Sequence, residues 1–342
     1  MRQENREREI TLAHGNGGRA MQSLIEELFL SAFANPALNA REDQARIALS
    51  ELCAGGDRLA VSTDSYVIDP IFFPGGDIGK LAVCGTANDV AVSGAQPRYL
   101  SCGMILEEGL AYSTLQRIVQ SMASTAQQAG IEIVTGDTKV VPRGAVDKIF
   151  INTTGFGVIP TDVHWGTEQI RQGDSIIVSG TLGDHGATIL NLREGLGLES
   201  DLVSDCALLA PLIAPLLPIA GVRALRDATR GGVTAVLHEF AAASGCGMAI
   251  NESALPVKPT VRGICELLGL DVLNFANEGK LVLVVAPEAE AEVLAALHQH
   301  PLGREAAVIG HTTEKRRVCL TGLFGVTRTL DLPLDEPLPR IC

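Results

Sequence analysis

Residues 113–139 read STLQRIVQSMASTAQQAGIEIVTGDTK, and this stretch decides the fold class because it joins a helix to a strand through one glycine. The spacing of its apolar residues predicts an amphipathic helix from Ser113 to Ala129. Gly130 stands where helices commonly end, since glycine readily adopts the left-handed backbone that closes the last turn. The β-rich run from Ile131 to Thr135 then predicts a strand, which the polar segment Gly136-Asp-Thr-Lys139 follows.

The same alternation of helical and extended patterns continues on both sides of this stretch. Aliphatic and β-branched runs bounded by turn residues predict further strands near Tyr99–Leu106, Ile149–Gly155, Asp174–Gly180, Lys280–Val285 and Arg317–Leu320. Apolar residues at helical spacing predict further helices at Met21–Phe33, after Gly79-Lys80, near Gly186–Leu192, after Cys206 and after Gly231-Gly232. The chain is therefore predicted to be an α+β protein.

Length and patterning indicate two domains and a tail. A chain of 342 residues with 46% hydrophobic content is long enough for two cores, because single domains most often run to roughly 100–200 residues. The apolar pattern lapses between Pro160 and Gly173. We therefore expect an N-terminal domain over residues 1–160, a C-terminal domain over 161–331 and a tail over 332–342.

The tail is expected to be a stiff, extended and mobile arm that carries a thiol at its tip. Three prolines, Pro333, Pro337 and Pro339, fall within its last ten residues, and Cys342 ends the chain. Proline fixes φ, removes a backbone donor and favours extended geometry in the residue before it. Chain termini are usually chemically idle, so the pattern of the tail alone assigns no role to the thiol.

Charge and cysteine usage exclude several classes of function. The chain has 27 basic and 40 acidic residues, a formal net charge of −13, which disfavours nucleic acid and anionic membrane surfaces as partners. The eight cysteines include no C-x-x-C pair, so neither a zinc ribbon nor a thioredoxin-type motif is indicated. The first residues carry charges of both signs and no apolar segment, and we expect a cytoplasmic protein.

Four polar clusters, each following or ending an apolar run, are candidate ligands for a metal or a nucleotide. We expect strands to deliver them to sheet edges. Aspartate oxygens are the hard ligands that Mg²⁺ selects, usually together with phosphate oxygens and waters. Taken singly, such aspartates are more often turn or cap residues. The clusters are Ser62-Thr-Asp64-Ser65, Thr86-Ala-Asn88-Asp89, Thr135-Gly-Asp137-Thr-Lys139 and Asp227-Ala-Thr-Arg-Gly-Gly232.

A glycine-rich loop, His14-Gly-Asn-Gly-Gly18, directly precedes the first predicted helix. Consecutive glycines let backbone N–H groups approach phosphate oxygens, and the N-terminus of the following helix adds a favourable dipole. The loop matches neither G-x-x-x-x-G-K-[ST] nor a strand-preceded G-x-G-x-x-G, so P-loop and Rossmann binding are disfavoured. Any nucleotide would be bound by another fold.

Lys139 and Glu278 lie in short polar breaks between apolar segments. Surface caps or ion pairs are the simpler interpretation, but in a shared pocket the two residues could perturb each other's pKa and transfer protons. Asp184-His185-Gly186 is discounted as a metal or triad pair. It lies in a glycine turn, and neither G-x-S-x-G nor H-E-x-x-H accompanies it.

In combination these motifs closely resemble the HypE family of hydrogenase maturation factors. These are carbamoyl dehydratases of the PurM-like (aminoimidazole ribonucleotide synthetase) superfamily. The resemblance runs from about residue 11 to the last residue, and the terminal cysteine separates this family from its superfamily relatives. The matching motifs are His14–Gly18, Thr63-Asp-Ser-Tyr-Val67, Thr86–Asp89, Gly136–Val140, Asp184–Gly186, Asp227–Val233, Asn277-Glu-Gly279 and Pro339-Arg-Ile-Cys342.

The resemblance implies a homodimer of two-domain PurM-like chains. The sheets of the N-terminal domains would pair into a barrel across the dimer, and the C-terminal domain would be an α/β sandwich-like unit. Mg-ATP would lie between elements of the two domains, where the tail reaches it. A carbamoyltransferase, HypF, would load the terminal thiol, and dehydration of the S-carboxamide would give an S-cyanide. That cyanide is destined for the iron of a [NiFe]-hydrogenase, with a HypC–HypD complex as iron scaffold.

The resemblance also implies roles for single residues. Asp64, Asp89 and Asp227 would bind Mg²⁺. Lys139 and Glu278 would handle the amide protons, while Cys342 would carry the substrate. The residues implied near the nucleotide are Gly15, Asn16, Gly17, Gly18, Asp64, Asn88, Asp89, Asp137, Thr138 and Asp227.

Two other functions remain open at this point. Selenophosphate synthetases belong to the same superfamily, but they are expected to carry a reactive Cys or Sec and a Lys in the glycine loop, where this chain has Gly17-Gly18-Arg19. The chain could also be a non-enzymatic scaffold that offers Cys342 to a metal. Its tail has no second cysteine and no histidine, so such a site would need borrowed ligands.

Overall fold

The computed structural model describes residues 8–197, 202–333, 338 and 340–342. The first seven residues and two of the tail prolines, Pro337 and Pro339, lie outside this part of the chain. The described strands are β1 Arg58–Tyr66, β2 Phe72–Phe73, β3 Gly76–Asp77, β4 Gln96–Glu107, β5 Glu132–Val141, β6 Ile149–Ile159, β7 Ser175–Val178, β8 Val222–Asp227, β9 Gly247–Asn251, β10 Leu281–Val285, β11 Ala307–Thr313, β12 Val318–Thr321 and β13 Thr327–Thr329.

The described helices are α1 Arg19–Leu24, α2 Ser31–Phe33, α3 Pro36–Asn39, α4 Leu49–Cys53, α5 Ile78–Ala91, α6 Tyr112–Ala129, α7 Asp184–Glu194, α8 Ala210–Ile213, α9 Gly232–Ser244, α10 Pro259–Leu268 and α11 Glu290–His298. A π-helical turn, Ile25–Leu30, joins α1 to α2, so the helix predicted from Met21 to Phe33 is continuous. None of the helices in the described ranges is long and apolar enough to cross a bilayer.

The first sheet has four strands in the order β1-β6-β4-β5. Strand β6 pairs antiparallel with both β1 and β4, whereas β4 and β5 are parallel. Parallel neighbours need a long crossover, and α6 provides it. Gly130 ends α6 in the left-handed region with φ 66°, so the helix-to-strand connection predicted from residues 113–139 is confirmed.

Helix α5 packs on one face of this sheet through small residues. All its residues except Lys80 and Asp89 are buried. A Cβ atom built on Gly157 in β6 would lie only 2.5 Å from Val90 Cγ1 of the helix, so glycine permits the close approach. The opposite face of the sheet leaves large apolar side chains exposed, among them Leu59, Val61 and Ile105.

The second sheet has seven strands in the order β13-β12-β9-β11-β7-β10-β8. Its central strands are buried on both faces, as the continuous apolar run LVLVV of β10 suggests. On one face Val282 and Val284 pack in a core with Phe240 of α9. On the other face, Leu283 packs in a core with Leu297 of α11. The sheet is thus the middle layer of a three-layer unit.

We expect Gly157→Ala to lower the free energy of unfolding by about 1–3 kcal/mol, the usual cost of overpacking. The added methyl would meet Val90 at 2.5 Å and the carbonyl oxygen of Gln96 at 2.7 Å. Gly103→Ala is the matched control in the same sheet, because its Cβ would meet only Asn152 O at 3.9 Å. Urea unfolding of both variants checks this expectation. Equal loss of stability in the two would contradict the packing argument.

Candidate active site

A cavity of about 180 Å³ lies where β1, α5, β8 and α9 meet. Its lining includes five carboxyl groups, two guanidinium groups and the terminal thiol, those of Asp64, Asp89, Asp227, Glu239, Glu278, Arg226, Arg230 and Cys342. We refer to it as the acidic cavity. The structure therefore brings together all three predicted metal ligands, one predicted proton-transfer residue and the predicted carrier cysteine.

One of the elements that deliver these carboxylates differs from the one expected. Asp64 lies within the edge strand β1, and Asp227 is the last residue of the edge strand β8, so both are on sheet edges. The expectation of a strand was wrong for Asn88 and Asp89, which lie in helix α5. Asp77 caps this helix, since its carboxylate accepts hydrogen bonds from the N–H groups of residues 79 and 80.

Burial and the repulsion of neighbouring acids dominate the electrostatics of Asp89 and Asp227. Burial, followed by the charge of Asp227, raises the pKa of Asp89 to about 8, although Ser62 donates a hydrogen bond to Asp89 Oδ2 at 2.6 Å. Burial likewise raises the pKa of Asp227 to about 6, with the charge of Asp64 adding to the effect. Asp227 Oδ2 has no hydrogen-bond partner within the described part of the chain. Arg226, which also lines the cavity, lowers the pKa of Asp227 but does not offset its burial.

Mg²⁺ fits this donor set. In the described ranges, no three Asp, Glu, His or Cys side chains converge as a complete cation site, but Mg²⁺ usually takes only a few carboxylates and completes its shell with phosphate oxygens and waters. The unpartnered oxygen of Asp227 and the repulsion that raises the pKa of Asp89 are both features that a divalent cation would relieve.

Glu278 is the most deeply buried acid of the cavity, at 2% exposure. Burial, followed by the charge of Asp205, raises its pKa well above the usual range. Its Oε1 atom has no hydrogen-bond partner among the described residues. Asp205 fixes the backbone here, because it accepts from Glu278 N at 3.0 Å and pairs with Lys280 Nζ at 3.0 Å. Glu278 is held in place with an oxygen that can take part in proton transfer.

The last residues of the tail are docked against the body of the protein. Val67 N donates to the carbonyl oxygen of Cys342 at 3.0 Å, and Leu338 and Ile341 are buried at 5% and 2% exposure. The extended geometry predicted from the prolines falls largely on residues outside the described part of the chain, and it stays a prediction. Mobility of the tail stays a prediction.

The predicted glycine loop and the β5 cluster form a second group, separate from the acidic cavity. The loop rests on β5, since a Cβ atom on Gly15 would lie 2.8 Å from Val140 N. On the same strand Lys139 pairs with Asp137 at 3.1 Å, and both side chains are over 60% exposed. Residues Asn16, Gly17 and Gly18 complete the loop, and Thr138 on β5 is buried.

This second group is remote from the cavity within one chain. Strands β5 and β1 form opposite edges of the four-stranded sheet, and three strand spacings amount to about 14 Å. One chain therefore does not bring Lys139 and Glu278 into a shared pocket.

Asn88 has a structural role in this arrangement. Its Nδ2 donates to Ala207 O at 2.9 Å and its Oδ1 accepts from Leu209 N at 2.8 Å. The side chain is 1% exposed and does not line the acidic cavity. It ties α5 to the segment that leads into α8.

Sequence reasoning missed the residues that hold the tail. His185 was discounted, yet its Nε2 lies 2.8 Å from Ile341 O. Arg340 pairs with Asp147 at 2.8 Å, although the two residues are far apart in sequence. The signal for His185 was its place in the Asp184-His-Gly motif, whereas the sequence contains no local signal for the ion pair.

Comparisons with known proteins agree with this architecture. The sequence matches the family described as AIR synthase related protein, N-terminal domain, over residues 41–159, and the corresponding C-terminal domain family over residues 171–322. The "Carbamoyl dehydratase HypE" of Escherichia coli (strain K12) is 70% identical over 333 residues, covering 97% of this chain and 99% of that protein.

Two solved structures add detail about relatives. One is described as hydrogenase maturation protein HypE in complex with ATP; it is 48% identical, has a TM-score of 0.92, and the match covers 97% of this chain and 99% of that chain. The other is described as a HypE-HypF complex; it is 43% identical, has a TM-score of 0.79, and the match covers 91% of this chain and 100% of that chain.

Without divalent cations, stability is expected to fall as pH rises from about 4 to about 8. The pKa of Asp89 is about 8 in the folded state and about 3.9 in an unfolded chain. The folded state therefore binds more protons across this window, and the stabilising protonation is lost as the pH approaches 8. Asp89→Asn should raise the melting temperature at pH 8, where about 1 kcal/mol corresponds to roughly 1–2 °C for a chain of this length.

Thermal unfolding in EDTA at pH 5 and pH 8 measures this effect. Asp162→Asn, at an exposed aspartate outside the cavity, is the matched control and should leave the pH dependence unchanged. An Asp89→Asn protein that melts below the wild type at pH 8 would contradict the charge argument.

Proposed function

The chain belongs to the HypE family of carbamoyl dehydratases, and we propose that it uses ATP to dehydrate an S-carboxamide on its own Cys342 to a thiocyanate. The thiocyanate would supply the cyanide ligand for the iron of a [NiFe]-hydrogenase during maturation. One observation carries the proposal: the last residue of the chain lines the same cavity as the predicted Mg²⁺ ligands and Glu278.

The proposed reaction balances without release of free water. The amide oxygen of the S-carboxamide is a poor leaving group, so the γ-phosphoryl group of ATP is transferred to it first. Loss of both N–H protons and of the phosphorylated oxygen then forms the carbon–nitrogen triple bond. The products are the thiocyanate, ADP and phosphate, and the oxygen of the amide ends in the phosphate.

The residues of the acidic cavity suit both halves of this reaction. Asp64, Asp89 and Asp227 would hold Mg²⁺, which when bound neutralises charge on the phosphates. Glu278 is proposed to accept an amide proton. Its carboxylate, once ionised in the presence of the positive charge that Mg²⁺ would supply, is a stronger base than an ordinary glutamate because burial raises its pKa. Its Oε1 atom has no hydrogen-bond partner among the described residues.

A homodimer is part of the proposal. The uncovered face of the four-stranded sheet exposes Leu59 and Val61 at 54% each, and two such faces could close into a barrel. The glycine loop, Asp137, Thr138 and Lys139 are proposed to contact the nucleotide and the amide. Because one chain keeps this group away from its own acidic cavity, we assign the contribution to the second copy.

The proposed partners follow from the chemistry of the tail and from the relatives. A HypF carbamoyltransferase would load Cys342, as the HypE-HypF complex of a relative supports. A HypC–HypD complex would receive the cyanide at its iron. The proposed location of all these steps is the cytoplasm.

The deciding experiment is intact mass spectrometry of protein carbamoylated on Cys342, before and after addition of Mg-ATP. We expect a loss of one water mass, located in the C-terminal peptide. Cys342→Ser should accept no carbamoyl group. Glu278→Gln should keep the carbamoyl group and bind ATP, but convert about 10²–10⁴-fold more slowly, the usual contribution of a positioned general base.

Glu288→Gln, at an exposed glutamate outside the cavity, is the matched control and should convert at the wild-type rate. Full ATP turnover with unchanged mass of the wild-type protein would overturn the proposed dehydration.

We expect Val61→Asp to convert the dimer to a monomer, because a charge on the paired sheet faces would be buried without a partner. Size-exclusion chromatography with light scattering measures the mass. Leu267→Asp is the matched control, since Leu267 is 66% exposed but lies on helix α10. A wild-type protein that is monomeric at a concentration of tens of micromolar would contradict the proposed dimer.

A further inference from the structure

The backbone of the last three residues is bound on both sides. Val67 N donates to Cys342 O at 3.0 Å, and Asp69 N donates to Arg340 O at 3.4 Å. Arg193 donates a further hydrogen bond from Nη2 to Arg340 O, and its Nε donates to Asp69 O at 2.6 Å. The tail therefore lies against the segment that follows β1, with the guanidinium of Arg193 beside it.

The side chain of Arg340 makes two directional contacts with different parts of the fold. Its Nε donates to Val67 O at 3.0 Å, and its Nη1 donates to Asp147 Oδ2 at 2.8 Å. A guanidinium can make both contacts at once because its donors form a rigid fork, whereas a lysine ammonium lacks that geometry. The side chain thus bridges the segment after β1 and the loop between β5 and β6.

The backbone of Arg340 also needs this support. Its φ is 55°, in the left-handed region that non-glycine residues rarely adopt. Such a conformation persists only where surrounding contacts hold it. Here the contacts are the ion pair to Asp147 and the hydrogen bonds to Arg340 O.

Asp147 is well suited to receive the arginine. Hydrogen bonding from Arg340 holds its pKa below the usual range, so it stays ionised at neutral pH. Lys148 Nζ lies 3.4 Å from Asp147 and 2.9 Å from Asp69, which ties the loop to the segment beside the tail. The pair is about 40% exposed on both sides, so it can open without disturbing the core.

His185 makes a second, buried contact with the tail, at Ile341. Because a carbonyl oxygen only accepts, Nε2 must carry the proton that it donates to Ile341 O at 2.8 Å. Nδ1 then accepts from the Ser204 hydroxyl at 2.7 Å, and that hydroxyl accepts from Cys206 N at 3.1 Å. Burial lowers the pKa of His185, which favours this neutral form.

We propose that Arg340 and Asp147 form a latch that sets how deeply Cys342 enters the acidic cavity, with His185 as the inner anchor. All three are positioning residues, since none of them lines the cavity itself. The latch is a property of the docked tail, whereas its effect on the reaction rests on the proposed function.

The latch is tested first by the reactivity of Cys342 toward iodoacetamide, measured by mass spectrometry of the C-terminal peptide. Arg340→Lys keeps the charge but loses the fork, and Asp147→Ala removes its acceptor. Each should raise the alkylation rate on the order of tenfold, the factor for one charge-assisted hydrogen bond. Arg328→Lys is the matched control, because Arg328 pairs with Asp271 at 2.9 Å away from the tail.

A double-variant cycle tests whether the two residues act through each other. Asp147→Ala combined with Arg340→Ala should alkylate at the rate of Arg340→Ala alone. Rates that multiply, or single variants that react like the wild type, would overturn the latch. Unchanged melting temperatures exclude general unfolding as the cause of faster alkylation.

The rate of dehydration supplies the second readout. In carbamoylated Asp147→Ala, the first-order rate constant at saturating Mg-ATP should fall about tenfold while the ATP concentration for half-maximal rate stays unchanged. Faster alkylation with an unchanged dehydration rate would overturn the positioning role. If wild-type protein does not dehydrate its tail at all, the proposed function fails, and the alkylation rates still decide whether the latch exists.

Discussion

The burial of helix α5 is the constraint on which the rest of the structure depends. The helix packs on the first sheet through glycine contacts, and it carries Asn88 and Asp89 side by side. Asn88 faces the second domain and binds its backbone, while Asp89 faces the acidic cavity. Of these two successive residues, one joins the domains and the other contributes an acid to the site. A helix that shifted along the sheet would lose both functions together.

A series of hydrogen-bonded hydroxyl groups fixes helix α5 on the first sheet. Tyr66 Oη lies 2.9 Å from Thr86 Oγ1, which lies 2.6 Å from Thr153 Oγ1, and Thr153 donates to Ala82 O at 3.0 Å. These groups are buried, so each needs its partner. These hydrogen bonds fix the rotation of helix α5 about its own axis more precisely than apolar packing alone would. This rotation directs the side chain of Asp89 toward the acidic cavity.

Local sequence patterns were sufficient where local physics decides the structure. The helix that ends at Gly130 and the strand after it depend on periodicity and on one left-handed glycine. Strands β9 and β11 gave weaker signals, since β9 reads GMAIN and Gly310 interrupts β11. A Cβ atom on Gly310 would lie 2.0 Å from Ala249 O, so the need for glycine there comes from a neighbouring strand that the local pattern does not contain.

The sequence predicted which residues form the site, but it did not predict their arrangement. Asp64, Asp89 and Asp227 were recognised as acids in a motif, and they do meet. The helical position of Asp89 was missed because the sequence pattern, an acid after an apolar run, is the same at the end of a strand and in a buried helix. The separation of Lys139 from Glu278 depends on sheet order, and the pairing of Arg340 with Asp147 depends on tertiary contact. The spacing of residues in the sequence contains no information about sheet order or about tertiary contacts.

The docked tail has a kinetic consequence. Under the proposed reaction the substrate is tethered to the enzyme, so its encounter with the site is governed by an effective concentration rather than by the amount of substrate in solution. Val67, Asp69 and His185 already hold the backbone beside the cavity. Dilution would then leave the rate per molecule unchanged, and the output of cyanide would scale with the number of chains. Such a protein behaves as a stoichiometric carrier that processes its own cargo.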